Sequence, residues 1–352
     1  SSDLAMMLPL DEEDLGDRMV AQVMVAPDDL HGEGLTGHED KDLYPQLDEL
    51  RQVAAMSITE QRSVLTPERL AKRWQIGLPA AKRTMHVTTQ AGVRNVLAPG
   101  ERRIRQRMNN QGFPNLKGNW YHDTLFAKVV SIRGKKCAQI ITNGQGFDRF
   151  NLMTGKVQVP IAIMKFIHEV GVPQVLISDN AKEETLGETE KICNKYHIQQ
   201  KQVPPYSQWA NLAEASIREV KSRIRMATRR ARSPRRLWCF CGQWVTAIRR
   251  LTASDIPGLD GRTPEEHVTG YSPDISAYSQ FDWYEPVMYW DPKPGFPFER
   301  KLLGRWLGVA DVSTDVMAFF VLTAKGTVMV RKDVWATPRE ELVTIGVQAQ
   351  IN

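Results

Sequence analysis

The chain has 352 residues, of which 42% are hydrophobic and 25% charged, and at this length we expect two or three domains. This composition is typical of a globular protein and excludes collagen-like, silk-like and wholly disordered chains. No apolar run approaches the roughly 20 residues that a membrane helix needs. Four cysteines without a CxxC pair argue against a disulfide scaffold and favour a reducing compartment. Because the sequence starts at Ser1, we expect it to be a portion of a longer chain.

Charge is divided unevenly along the chain. Residues 1–60 contain fifteen Asp/Glu and three Lys/Arg, a net charge of −12, whereas the remaining residues have a net charge of +17. A basic body favours a polyanionic partner such as nucleic acid. A solvated surface preceded by an acidic linker explains the charge equally well.

The first 115 residues predict a linker and a small helical segment. Residues 1–60 show no sustained period and are predicted to be a mostly disordered linker. In residues 61–115, Thr66 is a suitable helix cap, Pro67 a suitable first helical residue and Gly77 a break before a second helix. Two helices around such a turn are typical of a helix-turn-helix, although they often form only a packing unit. A basic connector follows, formed by Arg102, Arg103, Arg105 and Arg107.

Residues 116–255 predict an α/β domain. Strands are expected at 121–131, 136–143, after the turn at 144–146, at 173–178 and at 198–203. Helices are expected at 160–170, 186–197, 211–232 and 237–252.

The remaining residues predict a linker and a small β domain. Residues 256–278 are rich in Gly and Pro, and four or five short strands are expected within 279–345. Lys325-Gly326 fits a hairpin turn. These strands suit an SH3-like barrel, with its core filled by Trp283, Trp290, Trp306 and Trp335.

Three carboxylates occupy positions suited to a catalytic site. Asp123 lies in the first predicted strand, Asp179 ends a short buried strand, and Glu214 lies in the first turn of the long helix. Converging carboxylates bind hard divalent cations such as Mg²⁺, and two such ions activate a nucleophile and stabilise a leaving oxygen. Taken singly, each acid is equally well explained as a cap or a surface charge. The rivals on composition are Asp148, Glu183 and Glu184.

The long helix at 211–232 has two distinct faces. Its apolar face, expected to pack on the sheet, consists of Ile217, Val220, Ile224 and Ala227. The neighbouring face consists of Glu214, Arg218, Lys221 and Arg225. We call the three cations of this face the basic stripe. Such a stripe favours binding of DNA phosphates beside the acids, and a solvated surface is the alternative.

Three motifs resemble those of a known family. Ser178-Asp-Asn-Ala-Lys-Glu183, Pro205-Tyr-Ser-Gln-Trp-Ala-Asn-Leu-Ala-Glu214 and His122-Asp-Thr124 resemble the second, third and first catalytic motifs of the retroviral-type (DDE) integrases of copia-type LTR retrotransposons. The resemblance covers about 63–345 and is strongest at 120–230. It implies an RNase H-like core in which Asp123, Asp179 and Glu214 are the catalytic residues and metal ligands.

The resemblance also implies the reaction and the partners. The expected reaction is 3′-end processing and strand transfer with Mg²⁺ or Mn²⁺, two ions being bound when DNA is present. The expected partners are element-end DNA, target DNA and further copies of the chain, without a membrane. The expected location is the host nucleus, after a stage in cytoplasmic virus-like particles, and the chain would be the integrase portion of a polyprotein. The expected DNA contacts are Lys182, Asn211, Arg218, Lys221 and Arg225.

The chain departs from the family in one respect, and two alternative functions remain open. The amino-terminal zinc module of the family needs cysteines, but Cys137 is the first in this chain, so no structural zinc is expected. The CxC pair Cys239 and Cys241 suits a core better than a tetrahedral site. The alternatives are an inactive or domesticated DNA-binding derivative and a ribonuclease H acting on RNA in hybrids. The latter would be expected to have a fourth core carboxylate and neither a basic connector nor a barrel.

Overall fold

The computed structural model describes residues 65–90, 113–179, 187–204, 211–293, 297, 300–313 and 315–338. The predicted acidic linker at 1–60 and the basic connector around Arg102 lie outside the described residues. None of the described helices is long and apolar enough to cross a bilayer.

Two short helices open the described part of the chain, α1 (Pro67–Trp74) and α2 (Leu78–Val87). The Thr66 hydroxyl accepts a hydrogen bond from the Arg69 amide (3.2 Å), so this predicted cap is confirmed. Helix α1 ends before Gly77, because Gln75 adopts a left-handed conformation (φ 55°). The Trp74 indole donates to the carbonyl oxygen of Tyr278 (3.0 Å) and anchors α1 to the rest of the protein. The pair therefore packs against the rest of the protein, and its assignment as a helix-turn-helix stays a prediction.

The central sheet is mixed. Its strands are β1 (Asn115–Phe126), β2 (Cys137–Thr142), β3 (Asp148–Met153), β4 (Val172–Ser178) and β5 (Gln199–Gln202). Their spatial order is β3-β2-β1-β4-β5, with β1, β2 and β3 antiparallel and with β4 and β5 parallel to β1. This order and these directions fit the predicted RNase H-like core.

Strand β1 differs from its predicted bounds. It begins at Asn115 and ends at Phe126, whereas the sequence predicts 121–131. The first residues of β1 are mostly exposed and include Gly118 (φ 83°), so they lack the apolar alternation that marks a strand. Residues 127–131 lie outside the strand, and the amide of Gly134 closes a turn onto the carbonyl of Ser131 (2.9 Å) before β2 begins.

Helices cover both faces of the sheet. They are α3 (Val159–Glu169), α4 (Glu188–Lys195), α5 (Leu212–Ala231) and α6 (Trp238–Leu251). All six residues of β2 are buried, and their side chains alternate between the two faces. Ile140 joins the cluster that includes α5 and α6, whereas Ile141 joins the cluster that includes α3 and α4. The sheet therefore separates two hydrophobic layers.

The predicted linker at 256–278 contains ordered elements. Helix α7 (Pro264–Thr269) is capped by Thr263, whose hydroxyl accepts from the Glu266 amide (3.0 Å). Ile275 and Ala277 beyond it are fully buried in the larger hydrophobic cluster. This segment therefore contributes to the core as well as joining its neighbours.

A second, antiparallel sheet follows. Its strands are β6 (Pro286–Trp290), β7 (Lys301–Val309), β8 (Phe319–Thr323), β9 (Val328–Arg331) and β10 (Val334–Ala336), in the order β10-β6-β7-β8-β9. The hairpin turn at Lys325-Gly326 is confirmed, since the Gly326 amide donates to the Thr323 carbonyl (2.9 Å). Closure of this sheet into an SH3-like barrel stays a prediction.

Of the four tryptophans predicted to fill the core of the β domain, only two are buried. Trp283 and Trp306 are buried, but Trp290 is 40% exposed because it lies at the end of β6, and Trp335 is half-buried. Trp283 instead stacks on Trp244 of α6, with ring centroids 5.9 Å apart. The second sheet thus shares one hydrophobic cluster with α6.

Gly242 allows α6 to approach β3 closely. A Cβ atom at this position would overlap the ring of Phe150. We predict that Gly242→Ala lowers the free energy of unfolding by about 1–3 kcal/mol, the usual cost of overpacking a core. Urea denaturation with a measured midpoint tests this. Gly155→Ala is the control, because a Cβ atom there meets open space; equal midpoints for the two variants would contradict the prediction.

Candidate active site

The register of β1 and β4 brings Asp123 beside Asp179. His122 of β1 pairs with Ser178 of β4 in parallel register, and the next residue along the chain after each of them is the acid. Adjacent strands lie about 4.8 Å apart. Asp179, which is exposed, therefore leaves the end of β4 next to Asp123, which is half-buried.

Helix α5 supplies Glu214. The Asn211 side chain caps the helix by accepting from the Ala213 amide (3.0 Å), and Glu214 lies exposed in the first turn. The side chain of Leu212 packs directly against Gly144, in the turn between β2 and β3, where a Cβ atom would collide with it. This contact fixes the start of α5 against the sheet, and the helix then packs along β1 and β2.

Two of the acids act electrostatically on the third. Burial raises the pKa of Asp123, and the negative charges of Asp179 and Glu214 raise it further. Two groups oppose this shift, the Thr124 amide, which donates to the Asp123 carboxylate (2.6 Å), and the ammonium of Lys156. Asp179 and Glu214 thus both lie within electrostatic reach of Asp123, and the convergence of all three acids on one metal site stays a prediction.

The donor set suits a hard cation, but its present spacing is not that of a closed metal centre. Carboxylate oxygens are the ligands that Mg²⁺ prefers, and a cation would relieve the repulsion that acts on Asp123. Within the described ranges, no three His, Cys, Asp or Glu side chains are placed to hold a metal ion. Residues 180–186 and 205–210, which adjoin Asp179 and the start of α5, lie outside those ranges.

A buried polar network lies behind Asp123. The Gln139 amide of β2 donates to Nδ1 of His122 (2.8 Å), and the Thr124 hydroxyl donates to the Gln139 oxygen (2.7 Å). Burial lowers the pKa of His122 to about 4, so its ring is neutral at pH 7. The network holds the residues on either side of Asp123 to β2. Sequence reasoning missed it, because only the pairing of β1 with β2 brings Gln139 to this place.

The rival acid Asp148 has a structural role. Its carboxylate is fully buried, accepts from the Ser216 hydroxyl of α5 (2.7 Å) and forms an ion pair with Arg249 of α6. Arg249 also pairs with Glu219 of α5 (2.7 Å). These contacts tie β3, α5 and α6 together. The other rivals, Glu183 and Glu184, lie outside the described residues.

The predicted faces of α5 are confirmed. Ile217, Val220 and Ala227 are buried, and Ile224 packs against the same cluster. In the basic stripe, Arg218 and Arg225 are exposed and Lys221 is half-buried. On the same helix, Glu219 forms ion pairs with Arg223 (3.0 Å) and Arg249.

Two further predicted DNA contacts differ in their placement. Asn211 is only 5% exposed and its side chain caps α5, so its contact with DNA stays a prediction. Lys182 lies outside the described residues. By contrast, Lys156 acts on Asp123 although sequence reasoning missed it. It follows Gly155 in a turn after β3, where a single lysine has no pattern to distinguish it.

Comparisons with known proteins give distant structural likenesses. The catalytic core domain of HTLV-2 integrase, solved in complex with magnesium in a trimeric form, is 15% identical, with a TM-score of 0.34 over 43% of this chain and 95% of that one. The catalytic core domain of BIV integrase is 20% identical, with a TM-score of 0.32 over 43% of this chain and 93% of that one. No protein-family model matches the chain, and no curated protein matches it.

We predict that replacing aspartate by asparagine affects the free energy of unfolding differently at two positions of the sheet. Asp148→Asn breaks a buried ion pair and should lower the free energy of unfolding by about 3 kcal/mol. Asp123→Asn removes a carboxylate that is repelled by its neighbours, so it should leave stability unchanged or raise it. Urea denaturation of both variants measures this. A large loss of stability in Asp123→Asn would mean that this acid also serves the fold.

Proposed function

We propose that the chain is an integrase of the copia-type LTR retrotransposon class, a polynucleotidyl transferase that joins element DNA to target DNA. The observation that supports this most is the parallel register that brings Asp179 beside Asp123 in a mixed five-stranded sheet, where the charges of Asp179 and Glu214 both act on Asp123. The basic stripe continues along α5 from the last of these acids. Acids and cations in this order suit a phosphodiester, whose reacting oxygens need a metal and whose neighbouring phosphates need positive charge.

Each acid has a definite role in this proposal. Asp123, Asp179 and Glu214 would hold Mg²⁺ or Mn²⁺, with two ions expected when DNA is bound. Bound metal would supply activation of the nucleophile and stabilisation of the leaving oxygen. In 3′-end processing water breaks a phosphodiester near the end of the element, and in strand transfer the new 3′-hydroxyl replaces the 3′-oxygen at a target phosphate.

The remaining residues bind and orient DNA. Arg218, Lys221 and Arg225 would neutralise phosphates of the strand that reaches the acids, and Lys182 and Asn211 are proposed contacts beside them. The buried network of His122 and Gln139 would hold β1 in place, so that Asp123 keeps its position relative to Asp179.

The wider setting is proposed on the resemblance of the motifs. The chain would act as the integrase portion of a polyprotein and as a homo-oligomer on element-end and target DNA. It would pass from cytoplasmic virus-like particles to the host nucleus.

Two alternatives make different demands on the site. A DNA-binding derivative without activity would keep the basic stripe and lose turnover. A ribonuclease H would be expected to use a fourth core carboxylate, but the nearby candidate Asp148 is already held by Arg249 and Ser216. An assay of strand transfer therefore separates the proposal from both.

We predict that Asp123→Asn, Asp179→Asn and Glu214→Gln each abolish strand transfer on an element-end oligonucleotide with Mg²⁺ or Mn²⁺. DNA retention should persist, since phosphate contacts are made mainly by cations. Glu188→Gln is the control, because Glu188 is an exposed acid on α4 paired with Lys191 (2.7 Å). Full activity in any of the three variants would remove that acid from the catalytic set. Release of ribonucleotides from an RNA–DNA hybrid without strand transfer would favour the ribonuclease.

We also predict that Lys221→Ala and Arg225→Ala each lower the slope of log affinity against log salt by about 0.9 on duplex DNA, the value for one lost phosphate contact. The loss should be equal on two unrelated duplexes, because phosphates carry no sequence information. Arg223→Ala is the matched control, since Arg223 lies on the opposite side of α5 from Glu214 at 100° per residue and pairs with Glu219. An unchanged slope in the stripe variants would make the stripe a solvated face.

A further inference from the structure

A buried cation connects the sheet to the two long helices. Arg249 of α6 has only 11% of its side chain exposed. One of its guanidinium nitrogens pairs with the fully buried Asp148 of β3 and also donates to the Ser216 hydroxyl of α5 (3.0 Å). The other terminal nitrogen donates to the Glu219 carboxylate of α5 (2.7 Å). Since the Ser216 hydroxyl itself donates to Asp148 (2.7 Å), these four side chains form one connected set, which we call the Arg249 network.

The Arg249 network holds the side of α5 that faces away from its catalytic candidate. At 100° per residue, Ser216 lies about 200° and Glu219 about 140° around the helix axis from Glu214. The buried apolar residues Ile217 and Val220 occupy the neighbouring side of the helix. Any influence of the network on the Glu214 carboxylate therefore passes through the helix itself.

Such a network fixes a property of α5 that apolar packing leaves looser. Apolar contacts are non-directional, so the buried face of α5 limits the distance of the helix from the sheet more than its rotation. Hydrogen bonds and a planar guanidinium have preferred directions, so three partners restrict the rotation of the helix about its axis. A buried ion pair adds little stability over apolar residues of the same volume, because both charges lose their water. The advantage of the network here is the fixed orientation of α5.

A small rotation of α5 is enough to displace the acid. A side-chain atom about 5 Å from the helix axis moves by about 1 Å when the helix rotates by about 15°. Distances from a metal to its ligands vary by only about 0.2 Å, so a carboxylate displaced that far no longer binds well. The contact of Leu212 with Gly144 fixes where α5 begins, and the Arg249 network fixes how it is rotated.

We propose that Arg249 is a positioning residue for Glu214, whose direction it sets through the rotation of α5. This inference rests on the proposed function and deepens it, because the oriented carboxylate is one of the three that would bind metal. Groups that orient metal ligands without touching the metal typically change metal affinity 10- to 100-fold when they are removed, roughly the effect expected here.

Metal binding without turnover tests the positioning role. We would measure urea denaturation at rising Mn²⁺ concentration, since a ligand of the folded protein raises the midpoint according to its dissociation constant. Arg249→Lys keeps a cation for Asp148, but one ammonium lacks the planar fork that reaches three partners. Its dissociation constant for Mn²⁺ should rise roughly 10- to 100-fold. Ser216→Ala removes the member of the network nearest in the chain to Glu214, and it should shift the constant in the same direction.

Two comparisons separate orientation from stability. Gly304→Ala should lower the midpoint without metal, because a Cβ atom there would overlap Val321 in the second sheet, yet it should keep the wild-type response to Mn²⁺. Glu214→Gln should weaken that response by removing a ligand, and raised Mn²⁺ should not restore its strand transfer. In Arg249→Lys, raised Mn²⁺ should restore strand transfer, because all three carboxylates remain.

The outcomes separate this inference from the proposed function. If Arg249→Lys and Ser216→Ala bind Mn²⁺ as wild type does, Arg249 serves stability alone and the positioning role is overturned. An equal weakening in Gly304→Ala would overturn it as well, since metal binding would then follow stability. In either case, strand transfer by the wild-type chain would still support the proposed function. If wild-type protein neither responds to Mn²⁺ nor transfers a strand, both proposals fail.

Discussion

The parallel pairing of β4 with β1 is the constraint on which the rest of the site depends. A parallel neighbour runs in the same direction, so the residues that follow His122 and Ser178 emerge at the same end of the sheet. If β4 paired with β1 in the antiparallel direction, as β2 does, Asp179 would leave β4 at the end of the sheet where β1 begins, away from Asp123. The crossover through α3 makes the parallel direction possible, because such a connection needs a dozen or more residues.

The third acid depends on a different kind of constraint, the attachment of a helix to the sheet. Helix α5 is fixed at its start by Leu212 against Gly144 and further along by Ser216 and Arg249 around Asp148. The buried face of the helix adds Ile217 and Val220. Glu214 lies between these anchors, so a side chain that is itself exposed takes its position from contacts made by its neighbours.

What the sequence predicted well was encoded locally, and what it missed depended on distant contacts. The two faces of α5 follow from a period of 3.6 residues, which is readable within one helix. The bounds of β1 were wrong because its first half is mostly exposed and residues 127–131, although partly apolar, do not pair as strand. Lys156 was missed because it acts on Asp123 only after β3 has paired with β2, a contact between distant parts of the chain. The burial of Trp290 was predicted from residue type alone, but its place at a strand end leaves it exposed.

The contrast between Asp148 and Asp123 gives a physical criterion for telling a structural acid from a functional one. Both are aspartates on strands of the same sheet. Asp148 is fully buried, yet a hydroxyl and a guanidinium from two helices compensate its charge, so its interactions are completed within the fold. Asp123 is less buried, but two further carboxylates act on it, and in the described part of the chain they are opposed by the Thr124 amide and the Lys156 ammonium. A group left with excess like charge gains most from a cation brought from outside, which is the condition that metal-dependent chemistry on a phosphodiester requires.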